Sequence, residues 1–111
     1  MIFNVRTETR DGWTVVRVLG EIDLASAPQL RAALRAAVDG VSALAVDLHE
    51  CDFIDSVGVG LLLGASRRCL QQGTEFAVLL GDGAPRRLFE LCRLDEILTV
   101  LDAAEPLAGA E

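Results

Sequence analysis

The chain has 111 residues, 51% of them hydrophobic and 24% charged, with a net charge of −7 and ten basic residues that are all arginine. That length and composition describe one globular domain, residues 1–111, with a single core, and exclude a disordered chain. The acidic balance argues against nucleic acid and anionic membrane as main partners, because both need clustered positive charge.

The first predicted element is a β-hairpin. Phe3, Val5 and Thr7 alternate with polar neighbours, Asp11-Gly12 is a favoured two-residue turn, and residues 13–19 form the more central return strand. Gly20 is expected to end that strand, with Glu21-Ile22-Asp23 as a short acidic connection. A helix follows, with Ser26 and Gln29 as a capping box and Leu30, Ala33, Leu34, Ala37 and Val38 as its buried stripe. Gly40 is expected to stop it.

Residues 43–48 are short and nearly all apolar, which suits a central strand covered on both faces. The stretch Asp52-Phe53-Ile54-Asp55-Ser56 leads into a helix over about 57–72 that Gly73 ends. Residues 75–80 read as another buried strand. Ala84-Pro85 opens a third helix with Leu88, Leu91 and Cys92 on one face. Residues 97–101 read as the last strand, and 102–111 as a polar tail. The order β-β-α-β-α-β-α-β predicts a single α/β domain. Its mixed central sheet has an N-terminal antiparallel hairpin, then parallel β-α-β units, with helices packed on it.

Cys51, Cys69 and Cys92 are odd in number and widely spaced, which disfavours both a zinc site and a disulfide framework and fits core packing in a reducing cytosol. Early charges at Arg6, Glu8, Arg10 and Asp11 leave no signal-peptide core, and the apolar run at 57–65 is too short to span a bilayer. A soluble cytoplasmic protein is expected, a monomer outside any hetero-complex.

Catalytic signals are sparse. Ser56 lacks the G-x-S-x-G elbow, and His49, the sole histidine, reads as a strand-end surface residue. Glu21 and Asp23 could do acid–base work but read more simply as solvated loop acids. Gly58-Val59-Gly60 lacks the third glycine of a dinucleotide fingerprint, and no Walker pattern occurs. Gly60 and Gly64, four apart, are expected to let the helix lie close to the sheet. No cofactor, metal or enzymatic activity is expected.

Asp55 and Ser56 fall where a strand enters a helix, and either could be the N-cap. The same helix start also has free N–H donors and a positive partial charge, so it can accommodate a phosphate. A phosphoserine there adds about −1.5 to −2 charges, which would repel a partner seated on an acidic surface.

Three stretches carry a family resemblance. Leu19-Gly20-Glu21-Ile22-Asp23 resembles an L-x-G-E-L-D entry to a first helix. Val46-Asp47-Leu48 through Asp52-Phe53-Ile54-Asp55-Ser56-Val57-Gly58-Val59-Gly60 resembles a D-L-x-x-x-x-F-I-D-S-S-G-L-G signature. Residues 87–97 resemble a third helix and its following loop. Together they resemble the bacterial anti-sigma factor antagonists, stand-alone STAS domains, over residues 1 to about 102. The resemblance implies a partner switch. The unphosphorylated antagonist binds an anti-sigma factor that is a serine kinase of the histidine-kinase-like ATPase class, and this frees the sigma factor. Phosphorylation of the serine, here Ser56, releases the partner, and a separate serine phosphatase resets the switch. By position, the partner surface comprises Glu21, Asp23, Asp55, Ser56, Val57, Gly58 and Val59. Val57 replaces the family's second serine, and Val59 its leucine. Two other readings remain open: a STAS subunit fixed in a lipid-transport or stress-signalling assembly, and a small-molecule or nucleotide sensor.

Overall fold

The computed structural model describes residues 3–107. Strands β1 (Asn4–Arg10) and β2 (Trp13–Ile22) form the antiparallel hairpin, with Arg10 opposite Trp13 across the turn. Asp11 and Gly12 both have positive φ, 53° and 84°, as the hairpin turn that matches strand twist requires.

Helix α1 (Ala27–Val38), β3 (Ala43–Asp47), β4 (Cys51–Ile54), α2 (Ser56–Gln72), β5 (Glu75–Leu80), α3 (Ala84–Leu91), a 3₁₀ turn (Leu94–Glu96) and β6 (Val100–Asp102) follow in that order. The sheet runs β1-β2-β3-β5-β6, parallel beyond the hairpin, and β4 pairs with β2 beside the end of β3.

Two departures from the sequence reading shape the site. Gly20 does not end β2. With φ at 96° it bends the strand, whose first half pairs with β3 and whose last residues pair with β4. Residues 51–54, not set apart in the sequence from the stretch that leads into the second helix, are that extra strand. Its pairing steps from Gly20–Cys51 to Glu21–Phe53 and passes over Asp52, so the side chains do not alternate in the way that flags a strand.

The helices pack on one face of the sheet. Leu30, Leu34, Ala37 and Val38 of α1, Leu62, Ala65 and Cys69 of α2, and Phe89 of α3 bury against Val16, Val18, Ile22, Leu44, Val46, Val78 and Leu80. Phe89 is fully buried, which contributes about 1.5–3 kcal/mol. It, rather than Leu91, anchors α3; Leu91 is exposed, and so is Cys92, which therefore does not pack in the core. On the opposite face Trp13, Val15, Ala43, Ala45, Ala77 and Leu79 meet Leu107, so the predicted polar tail packs down at least that far; residues 108–111 lie outside the described residues. The last strand starts later than expected, because Leu98 is drawn into the helix-side core and β6 begins at Val100. Nothing lies within 4 Å of a Cβ placed on Gly60 or Gly64, so neither glycine serves a close approach to the sheet.

Among the described residues no helix is long and apolar enough to cross a membrane, and no cluster of three His, Cys, Asp or Glu could hold a metal ion.

Candidate functional site

The site is built where β2 and β4 end side by side. Glu21 pairs with Phe53 and Ile22 with Ile54, and the Asp55 N–H donates to the Ile22 carbonyl at 3.2 Å. This brings the loop Glu21–Asp23 beside the start of α2.

Asp55 is the N-cap of α2. Its backbone is extended, and Oδ1 accepts the N–H of Val57 at 3.0 Å and of Gly58 at 3.1 Å. Two of the donors that a helix start leaves unpaired are thereby satisfied. Ser56 is the first residue of the helix proper and is exposed, and its hydroxyl has no hydrogen-bond partner among the described residues. Val57 and Val59 are half-buried; Gly58 is buried beneath the turn.

Asp23 makes the side-chain bonds to backbone N–H groups that the sequence reading assigned, as a helix cap, to Ser26. Its Oδ1 accepts the N–H of Ala25 at 3.0 Å and of Ser26 at 3.1 Å. Ser26 has helical backbone angles and makes no cap bond. Its hydroxyl is turned inward, donating to the Glu21 carbonyl at 2.8 Å and accepting the Asp23 N–H at 3.0 Å. The capping box with Gln29 is therefore absent, and the acidic loop is braced from within by Ser26.

Beside Ser56 runs a groove of about 200 Å³, lined by Ile54, Asp55, Ser56, Val59, Leu88, Cys92 and Leu94. Its far wall, Leu88, Cys92 and Leu94, was missed as part of the site. The signal was the apolar stripe of α3, which is wider than the face that Pro85 and Phe89 bury. Phe53 on β4, 44% exposed, and Leu24 in the loop after β2, 76% exposed, are further exposed apolar side chains outside the groove lining.

His49 stands apart from this groove. Its Nδ1 lies 2.7 Å from Asp47 Oδ1, and it lines a different crevice, of about 360 Å³, with Gly81, Asp82, Asp102, Ala103 and Ala104. Asp47 is buried at the end of β3 and also binds Arg10 at 3.2 Å. Burial pushes its carboxyl up, but the His49 N–H, the His49 ring and Arg10 outweigh this and hold it below the usual range. Arg17 bridges Glu8 and Glu50 on the same face. These groups are paired with one another, and none is directed at Ser56. Burial also pushes the Cys51 and Cys69 thiols up, away from the reactive thiolate.

Comparisons with known proteins place this geometry in a family. The STAS domain family matches residues 4–105. The anti-sigma-B factor antagonist of Staphylococcus aureus is 31% identical, with 95% of this chain and 98% of that protein covered. The crystal structure of an anti-sigma factor antagonist from Mycobacterium paratuberculosis superposes with a TM-score of 0.82 at 36% identity, covering 89% of this chain and 85% of that one. SpoIIAA, an anti-sigma factor antagonist, is similar in its unphosphorylated form, with a TM-score of 0.74 at 28% identity over 94% of this chain and 90% of that one. The Bacillus SpoIIAA structure in the phosphorylated form gives 0.67 at 29% identity over 94% and 93%. The chain described here belongs to the STAS domain family and groups within it with the anti-sigma factor antagonists.

Proposed function

We propose that this chain is a phosphorylation-controlled antagonist of an anti-sigma factor in the bacterial cytoplasm. Its unphosphorylated form binds a serine kinase of the histidine-kinase-like ATPase class through Glu21, Asp23 and the start of α2, Asp55–Val59. Occupying that partner releases a sigma factor. Phosphorylation of Ser56 ends binding, and a serine phosphatase restores it. The chain itself performs no chemistry.

One observation carries the reading: Asp55 does the capping, which leaves the Ser56 hydroxyl exposed and unengaged. A serine needed as a cap would be tied into the helix start; this one is available to a kinase. The groove beside it offers an apolar seat for a partner side chain, and Glu21, Asp23 and Asp55 offer negative charge to a basic one.

The switch has a consistent energy scale. A phosphate on Ser56 adds about −1.5 to −2 charges. The helix start stabilises that charge by about 0.3–1 kcal/mol, or up to ~2 if partly buried, so the fold persists. A phosphate set on the edge of the apolar groove would have to be buried without a paired charge when the partner seats there, which costs several kcal/mol, or two or more decades of affinity. Incubation with the cognate kinase and ATP, followed by peptide mass spectrometry, tests the acceptor. Phosphate on Ser56 and none on a Ser56→Ala variant is the expected result; phosphate elsewhere, with Ser56 unmodified, overturns it.

A further inference from the structure

Gly58 is buried in the first turn of α2 against β2 and β4. A Cβ there would lie 2.6 Å from Ile22 Cγ2, 2.6 Å from Ile54 Cγ1 and 3.1 Å from Ile54 Cδ1. Ordinary carbon contacts stand at about 3.5–4.0 Å. Both isoleucines are in the core, at 0% and 4% exposure, and β-branched side chains are stiff at χ1, so neither can swing aside. Room for a methyl group has to come from lifting the helix start by about 1 Å.

That lift acts on the site. The Asp55 N–H bond to the Ile22 carbonyl, and the Asp55 carboxylate bonds to Val57 and Gly58, tie Ser56 to the same contact. Gly60 and Gly64 have open space around them, so the demand for a missing side chain is local to Gly58.

We infer that Gly58 is a positioning residue: its lack of a Cβ seats the first turn of α2 on Ile22 and Ile54, and this fixes where the Ser56 hydroxyl stands. The inference rests on Ser56 being the phosphate acceptor but is separable from it. Phosphoryl transfer depends almost wholly on positioning and electrostatics, and a 1 Å misplacement costs as much as about 10²-fold in rate. Gly58→Ala is expected to lower kcat/KM for Ser56 phosphorylation about 10- to 100-fold, mainly through kcat. Ile54→Ala removes two of the three opposing atoms, Cγ1 and Cδ1, and leaves Ile22 Cγ2 in place. The double variant Gly58→Ala/Ile54→Ala is therefore expected to recover part of the loss, standing closer to Ile54→Ala than Gly58→Ala stands to wild type.

The test compares wild type, both single variants and the double variant by two readouts. One is amide hydrogen exchange at Asp55 and Val57, set against Val46 and Val78 in the central strands. The other is phosphorylation by the cognate kinase. In Gly58→Ala the Asp55 and Val57 amides are expected to exchange about tenfold faster while Val46 and Val78 keep their protection. Partial or full recovery of both readouts in the double variant supports the inference. Unchanged exchange at Val57 in Gly58→Ala, or a loss that the double variant does not lessen at all, overturns it. If wild type is not phosphorylated at all, the kinase reading falls and the exchange comparison alone decides the seating of the turn.

Discussion

Asp55 Oδ1 holds the Val57 N–H at 3.0 Å, and the adjacent Ser56 hydroxyl is left exposed. Two neighbouring residues of cap-forming type thus divide two roles. The aspartate closes the helix start, and the serine faces outward at its positive end. That division is what makes a modifiable hydroxyl compatible with a stable helix.

The two residues should therefore differ in their effect on stability. Asp55→Ala removes both cap bonds and should cost about 1 kcal/mol, within a range of roughly 0.5–2. Ser56→Ala should change stability by less than about 0.5 kcal/mol. Urea unfolding followed by Trp13 fluorescence checks both. Equal losses in the two variants would mean that Ser56 shares the cap.

The groove makes a paired prediction. Cys92→Glu puts a charge on its exposed wall, whereas Leu91→Glu puts the same charge next door, outside the lining. The first should weaken binding of the anti-sigma factor by about tenfold or more, because a charge there meets an apolar seat with a negative neighbour in Asp55. The second should leave affinity nearly unchanged. Surface binding kinetics with both variants separates them, and equal affinities would remove the groove from the partner surface.

Acid should act through Asp47. Its carboxyl is held below its ordinary range in the folded chain, so its contribution is present above the unfolded value of about 3.9 and is lost as pH falls through the folded value. Asp47→Asn should cost about 1–3 kcal/mol near neutral pH. The gap between wild type and variant should stay level above about pH 5 and close below about pH 4. Urea midpoints measured from neutral to acidic pH follow it, and a gap that widens on acidification would contradict the assignment.

Much of this arrangement could be read from the residues. Asp11-Gly12, the α1 stripe, the apolar run at 43–48 and Gly73 each express one strong local rule, and each stands where expected. What escaped were features set by contacts distant in sequence. Gly20 looks like a stop but is a bend, because β4 waits to pair beyond it. Ser26 looks like a cap, but the Glu21 carbonyl and Asp23 N–H claim its hydroxyl first. Phe89 and Leu91 are both apolar residues of α3, and only the position of the sheet decides which is buried. The wall formed by Leu88, Cys92 and Leu94 was invisible for the same reason, since it belongs to the site only once α3 is set against the end of β4.

The C-terminal segment gives a further check. Leu107, 7% exposed, covers the helix-free face with Trp13. Leu107→Asp should cost about 1.5–3 kcal/mol and shift Trp13 emission to the red as that face is opened to water. An unshifted spectrum with full stability would mean that the segment does not cover Trp13 in solution.

The central claim is that the state of Ser56 decides whether the partner stays bound. Titration calorimetry with the cognate anti-sigma factor, in the presence of ADP, measures this directly on wild type, Ser56→Ala and Ser56→Asp. Wild type and Ser56→Ala should bind alike, and Ser56→Asp should bind at least about a hundredfold more weakly. A Ser56→Asp variant that binds as tightly as wild type would contradict the switch and leave the chain as a fixed subunit whose serine merely begins a helix.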